Sequence, residues 1–162
     1  MSTSAGASLE LRRAYAMFPS GVAAVCALDA AGDPVGLAMS SFTTVSLEPP
    51  LVSVSADRGS ATWPKLATLP RLGVSILGAG HMDAARSLAR KTGDRFDGVA
   101  WHSTPHGAVL IDGAALWIEC RVYDQFDAGD HVLVLLEALD LVPHEDVAPL
   151  VFHRSALRPL ES

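Results

Sequence analysis

The sequence is poor in aromatic residues and has no long apolar run. Phe, Trp and Tyr make up 6% of its 162 residues although apolar residues make up 49%, so a core must be packed closely from Val, Leu, Ile and Ala. No run approaches the roughly 20 apolar residues of a membrane span, and residues 1–10 lack the basic start and apolar stretch of a signal peptide. The absence of a membrane span and of a signal peptide predicts a cytoplasmic protein. The length predicts a single domain over 1–162, with about residues 1–8 flexible.

The sequence also lacks a surplus of cations and a cysteine framework. Its net charge is −6, which argues against nucleic acid or membranes as partners, because both attract cationic surfaces. The two cysteines, Cys26 and Cys120, lie in apolar runs, as buried thiols of a reducing compartment do. His102 and His106 have metal-like spacing, but we see no Cys or acidic partner near them and Pro105 precludes a helix. We therefore predict a surface loop there and no metal site.

Short β-type segments between turns dominate the rest of the chain. An amphipathic helix is expected at about 9–18, before Pro19. Two short helices are expected, one starting at Ser60 and one running from Asp83 as N-cap to Arg90 and Lys91. Residues 51–55 alternate apolar and polar, which indicates a half-buried strand. Further strands are predicted at 21–28, 34–39, 73–77, 114–123, 131–141 and 150–152.

This pattern favours a mainly β fold. Several strands, few helices and no βαβ rhythm indicate a β-barrel with short capping α-helices. Gly78 and Gly80 begin a dinucleotide-type loop, but its third glycine is missing and no βαβ unit follows, which argues against a Rossmann site. Ser, His and Asp are all present, but no nucleophile elbow accompanies them, so the sequence does not indicate an acyl-transfer site.

Residues 36–52, GLAMSSFTTVSLEPPLV, carry the most informative pattern. In this order the chain resembles the flavin reductase-like family, whose fold is an FMN-binding split β-barrel of Greek-key type. Adjacent hydroxyls suit the polar edge of a flavin ring. The resemblance places Ser40 and Ser41 at that edge, within a cofactor-binding segment that includes Met39 against the ring and Phe42. Ala38 stands where the family usually has Thr.

Ser55-Ala56, followed by Ser60 and Thr62, resembles the strand end and helix start that hold the flavin phosphate in this family. A helix N-terminus offers free N–H groups and a partial positive charge to a phosphate. Alternatively, Ser60 or Thr62 is a plain N-cap.

Two further segments resemble the family at its site. Lys91 and Arg95 are expected to neutralise phosphate charge and Phe96 to cover part of the flavin; the alternative for both cations is a solvated helix end. His131, in the sequence Gly129-Asp130-His131, is expected beside the nicotinamide as the catalytic residue, although a lone His at a strand start is more often structural.

The resemblance implies an NAD(P)H-dependent flavin reductase that transfers hydride from NADH or NADPH to FMN or FAD. It also implies a homodimer that supplies reduced flavin to a partner monooxygenase. Two alternatives stay open, because fold does not settle function. One is a non-catalytic flavin carrier of the same fold, and the other is a stand-alone flavin-dependent oxidase or oxygenase.

Overall fold

The computed structural model describes residues 5–161 and is mainly β, with 48% strand and 14% helix. Its elements are α1 (Ala5–Tyr15), β1 (Ser20–Gly21), β2 (Ala23–Leu28), β3 (Pro34–Met39), β4 (Thr43–Leu47), β5 (Pro50–Asp57), α2 (Trp63–Ala67), β6 (Leu72–Ile76), α3 (Met82–Leu88), β7 (Trp101–Ser103), β8 (Val109–Ile111), β9 (Leu116–Ala128), β10 (His131–Pro143), β11 (Leu150–His153) and β12 (Ala156–Pro159). The predicted fold class is confirmed.

A seven-stranded antiparallel sheet forms the framework, in the order β3-β2-β6-β9-β10-β5-β4. The sheet does not close, and β3 and β4 are its edges. It curls so that edge strand β3 approaches β5. Smaller sheets, β1-β11-β12 and β7-β8, lie beside it. The curl brings the ends of β3, β5 and β10 together.

Strand β2 separates two apolar cores. Successive side chains of a strand point to opposite faces, and in β2 both faces are buried. Val25 belongs to the first core, which also contains Val74 and Val134, whereas Cys26 belongs to the second core, beneath α3 and β8. Burial raises the pKa of the Cys26 and Cys120 thiols to about 12, so both thiols are protonated at neutral pH, as expected of buried cysteines.

Several helix and strand predictions needed correction; helix α2, for example, begins at Trp63 rather than at Ser60. Helix α1 begins at Ala5 and ends at Tyr15, so it lies earlier than 9–18; Met1 to Ser4 of the segment expected to be flexible lie outside the described residues. Helix α3 starts after His81 and ends at Leu88, so Asp83 is in its first turn and Lys91 lies beyond it. Strand β5 is buried rather than half-buried, because its successive residues 51–54, which point to opposite faces of the sheet, are all buried.

The predicted surface loop was right for His106, which lies in an exposed turn, but wrong for His102, which lies in a strand. Residues 101–111 form the hairpin β7-β8, and the ring of His102 contacts the Asp112 carboxylate and stacks edge-to-face on Trp117. Asp112 was missed as an acidic neighbour because the pairing of β7 with β8 brings it close to His102 in the folded chain. Within residues 5–161, no helix is long and apolar enough to span a bilayer.

Candidate functional site

A cleft of about 680 Å³ opens where β3 and β5 end and β10 begins, beside the segment that follows α3. Nine of the twelve predicted site residues line it: Met39, Ser40, Ser41, Ser55, Ala56, Ser60, Lys91, Arg95 and His131. The volume lies within the range of about 300–1,000 Å³ typical of small-molecule sites. The fold thus brings together segments that are up to 92 positions apart, from Met39 to His131.

Three predicted residues do not line this cleft. Phe42 packs against the first apolar core. Thr62 lies next to the cleft and accepts a hydrogen bond from Arg95. Phe96 is buried in the second core, where its ring meets Trp101 edge-on at a centroid distance of 6.3 Å. Phe96 therefore does not line the cleft, and its expected role of covering part of a flavin stays a prediction.

Two serines mark one end of the cleft. The Ser41 hydroxyl accepts a hydrogen bond from the Ser55 N–H at 2.9 Å and donates one to the Ser55 carbonyl at 3.2 Å. A hydroxyl has one proton and two lone pairs, so Ser41 keeps one acceptor position. Ser40 is exposed, and its hydroxyl has no hydrogen-bond partner among residues 5–161. This end offers a free donor and a fixed acceptor to a planar polar ring.

Ser60 organises the start of α2. Its hydroxyl oxygen accepts hydrogen bonds from the N–H groups of Thr62 at 3.2 Å and Trp63 at 3.1 Å. Thr62 is the N-cap residue of α2 but makes no side-chain cap bond. Ser60 thus caps the turn, and its hydroxyl proton is still free to donate to a ligand. The two N–H groups that it holds are not available to a phosphate.

Arg95 and Lys91 differ sharply in their surroundings. The Arg95 guanidinium donates from Nη1 to the Gly36 carbonyl at 3.1 Å and to Thr62 Oγ1 at 2.9 Å, and from Nε to the Arg90 carbonyl at 2.7 Å. It therefore ties β3, α2 and the segment after α3 together, and it is not a solvated helix-end cation. Lys91 is exposed and has no ion-pair or hydrogen-bond partner in the part of the chain described.

His131 is the first residue of β10 and lies opposite Asp57 of β5. Its Nδ1 lies 2.7 Å from a carboxylate oxygen of Asp130. The hydrogen bond from His131 and the charge of its ring lower the pKa of Asp130. With Nδ1 directed at a carboxylate, Nε2 is left for other contacts, and 42% of the side chain is exposed.

Sequence reasoning missed several residues of the cleft. Asp57 and Gly59 line it, as do Leu88 and Ala89 at the end of α3. Asp57 also accepts a hydrogen bond from the Gly59 N–H at 2.7 Å. The bond between Asp57 and Gly59 forms an Asx-type turn, which is a recognisable local signal. Nothing in the local sequence, however, indicated that β5 pairs with β10. Among the described residues, no group of three or more His, Cys, Asp and Glu side chains is placed to hold a metal.

Comparison with known proteins gives a consistent result. The model of the flavin reductase-like domain matches residues 14–161. A flavin reductase of Pseudomonas putida is 34% identical over 143 residues, which cover 88% of this chain and 84% of the relative. An actinorhodin polyketide dimerase of Streptomyces coelicolor is 39% identical over 142 residues, covering 88% and 80%.

Comparison with solved structures agrees with the comparison of sequences. The structure of a Streptomyces globisporus NADH:FAD oxidoreductase in complex with NAD and FAD fragments superposes with a TM-score of 0.90 at 32% identity, covering 99% of this chain and 97% of that one. With a family match over nearly the whole chain and a relative of this similarity, the protein belongs to the flavin reductase-like domain family.

Proposed function

We propose that the protein is an NAD(P)H-dependent flavin reductase that transfers hydride from NADH or NADPH to FMN or FAD. The observation that carries the proposal is the cleft itself, which has neutral hydroxyls at Ser40 and Ser41 and cations at Lys91 and Arg95. Family membership and the similarity to an NADH:FAD oxidoreductase support the same reaction.

The residues of the cleft fit a flavin that carries a phosphate. Ser40 and Ser41 offer a donor and an acceptor, which a ring edge with carbonyl oxygens and an N–H group requires. Ser60 keeps a hydroxyl proton, and the N–H of Ala61 has no partner among the described residues. Together with Lys91 they form a donor set for a phosphate that does not depend on the N–H groups of α2.

A bound flavin supplies the hydride-accepting chemistry. The chain's own contribution is to bind and orient both partners. His131 is the proposed contact for the nicotinamide coenzyme, because it lines the cleft and the contact of its Nδ1 with Asp130 leaves Nε2 for a ligand. Met39, buried at the end of β3, provides an apolar wall. No proton-transfer group is required for direct hydride transfer.

Partners and compartment belong to the same proposal. A relative of 34% identity is named the reductase subunit of a flavin-dependent monooxygenase, which supports a monooxygenase as the recipient of reduced flavin. Strand β4 is an open sheet edge that exposes Val45 and Leu47, and such edges favour association; we therefore propose a homodimer. Two free buried thiols suit the reducing cytoplasm.

A turnover assay tests the reaction. Purified protein is mixed with NADH or NADPH and with riboflavin, FMN or FAD, and the loss of nicotinamide absorbance is followed, with omission of flavin as control. We expect flavin-dependent oxidation of at least one coenzyme. Flavin binding without oxidation of either coenzyme would instead identify a carrier.

The similarity to a polyketide dimerase favours a second candidate, an enzyme that uses flavin on its own organic substrate. Anaerobic titration of free flavin in the presence of the protein and reduced coenzyme, followed by the bleaching of the flavin, separates the two candidates. A reductase with exchangeable flavin bleaches a large excess of free flavin, because each protomer turns over repeatedly. A stand-alone enzyme that retains its flavin bleaches one equivalent per protomer and then stops.

A further inference from the structure

The hairpin of β9 and β10 projects beyond the strands on either side of it. Strand β6 pairs with residues 116–120 of β9, and β5 ends at Asp57, which pairs with His131. The tip of the hairpin, residues 127–130, therefore lies past the residue pairs of both neighbouring strands. Because a two-stranded hairpin is only marginally stable by itself, the position of this tip depends on contacts outside the strand pairs.

Arg58, the residue after β5, makes three contacts with the tip. Its N–H donates to the Asp130 carbonyl at 3.0 Å and extends the pairing of β5 with β10 by one hydrogen bond. Its guanidinium donates from Nη1 to the Gly129 carbonyl at 3.4 Å, and Nη2 lies 3.5 Å from a carboxylate oxygen of Asp127. The rigid fork of the guanidinium thus joins the end of β5 to two further residues of the tip.

The surroundings of Arg58 indicate a local effect. Arg58 does not line the cleft, although its neighbours Asp57 and Gly59 do. Its side chain is 50% exposed, and an exposed ion pair adds little to the free energy of unfolding because solvent screens it. The side-chain contacts of Arg58 therefore affect the position of the tip more than the stability of the whole fold.

The contacts of Arg58 lead to His131 through Asp130. The main-chain carbonyl of Asp130 accepts the Arg58 N–H, and the carboxylate of the same residue lies 2.7 Å from Nδ1 of His131. A displacement of the tip would therefore move the group that orients the His131 ring.

We infer that Arg58 is a positioning residue for His131. By holding the tip of the hairpin, Arg58 sets the place at which the imidazole meets the nicotinamide coenzyme. This inference rests on the proposed function, because it takes the coenzyme to bind beside His131. Arg58 itself touches neither the coenzyme nor the flavin.

Steady-state kinetics of the full chain test the inference, with saturating FMN and the coenzyme that the wild type oxidises faster. Arg58→Met should lower kcat/KM for the coenzyme about fivefold, while the calorimetric affinity for FMN changes by less than about twofold. Arg121→Met is the matched control and should change neither value. Arg121 is 54% exposed, forms an ion pair with Glu137 in the same hairpin, and does not line the cleft.

Two further variants separate positioning from other effects of Arg58. In a His131→Ala background, Arg58→Met should change kcat/KM by less than about twofold, because the group that it positions is gone. A loss of about fivefold in that background as well would show that Arg58 acts independently of His131, and would overturn the inference. Arg58→Lys keeps the charge without the planar fork and should behave like Arg58→Met; recovery of the wild-type value would assign the effect to charge and reject positioning.

An NMR measurement tests the structural step without coenzyme or flavin. The heteronuclear NOE of the Gly129 and Asp130 amides should fall in Arg58→Met and stay at the wild-type value in Arg121→Met. Unchanged values in Arg58→Met would show that Arg58 does not hold the tip. If the wild type oxidises neither coenzyme, the proposed function and the role toward the coenzyme fail together, and the NMR result still decides whether Arg58 holds the tip.

Discussion

The Ser41 hydroxyl bonds both main-chain polar groups of Ser55, accepting from its N–H at 2.9 Å and donating to its carbonyl at 3.2 Å. Through this side chain, the segment after β3 is joined to β5 across the opening of the split sheet. Ser41 therefore both lines the cleft and links the segment after β3 to β5.

Ser41→Ala should lower the free energy of unfolding by about 1–2 kcal/mol, because it leaves two partly buried groups of Ser55 without their partner. It should also weaken riboflavin, FMN and FAD alike, since Ser41 lies at the proposed ring end. Denaturant titration and calorimetry measure the two effects. Ser40→Ala is the control for stability and should stay within about 0.5 kcal/mol of the wild type; an equally destabilised Ser40→Ala would contradict the structural role of Ser41.

His131→Ala should lower turnover more than it lowers flavin affinity, because His131 is the proposed coenzyme contact and the phosphate and ring-edge contacts remain. Steady-state rates and calorimetric flavin affinities provide the comparison. Unchanged turnover in the variant would remove His131 from the reaction.

The same substitution should raise the pKa of Asp130 toward the ordinary carboxyl value, because the hydrogen bond and charge of His131 lower it in the folded protein. A carboxyl group whose pKa is lowered on folding contributes stability above its unfolded pKa and loses that contribution as the pH falls through the folded pKa. Carbon-detected NMR titration of Asp130 measures the shift. An Asp130 pKa identical in both proteins would show that the contact does not persist in solution.

Lys91→Met should weaken FMN and FAD by about fivefold, or about 1 kcal/mol, and leave riboflavin unchanged, because Lys91 is proposed to meet the phosphate from an exposed position. Added salt should shrink the difference. Lys65→Met removes an exposed cation of α2 that does not line the cleft and is the matched control. Equal losses for all three flavins would place Lys91 away from the phosphate.

Gly73→Ala should destabilise the fold by about 3 kcal/mol or more, since a Cβ at Gly73 would lie 2.0 Å from the Val109 carbonyl oxygen and two strands would have to separate. Gly80→Ala is the control, because no atom lies within 4 Å of the added carbon. Denaturant midpoints of the two variants give the comparison. A stable Gly73→Ala would mean that β6 and β8 do not approach so closely.

Local chemistry made much of the fold predictable. The turn at 29–33 and the turn before His131 are short and rich in Asp and Gly. Strands β2, β3 and β10 beside them were placed within about two residues, but β9 runs to Ala128, beyond its predicted end at 123. The helix predicted to start at Ser60 is present as α2, but it begins at Trp63, and the Ser60 hydroxyl accepts a hydrogen bond from the Trp63 N–H. The ends of α1 and α3 were less accurate, because helix termini depend on packing as well as on capping residues.

The sequence by itself determined the family, the mainly β class and most residues of the cleft, because these follow from the order of residues in short segments. Only the tertiary structure decided that Asp57 faces His131, that Arg95 joins three segments, and that Phe96 is a core residue. Each of these depends on contacts between residues far apart in the chain. Local propensities act over a few residues, whereas pairing of distant strands is set by the burial of the whole core.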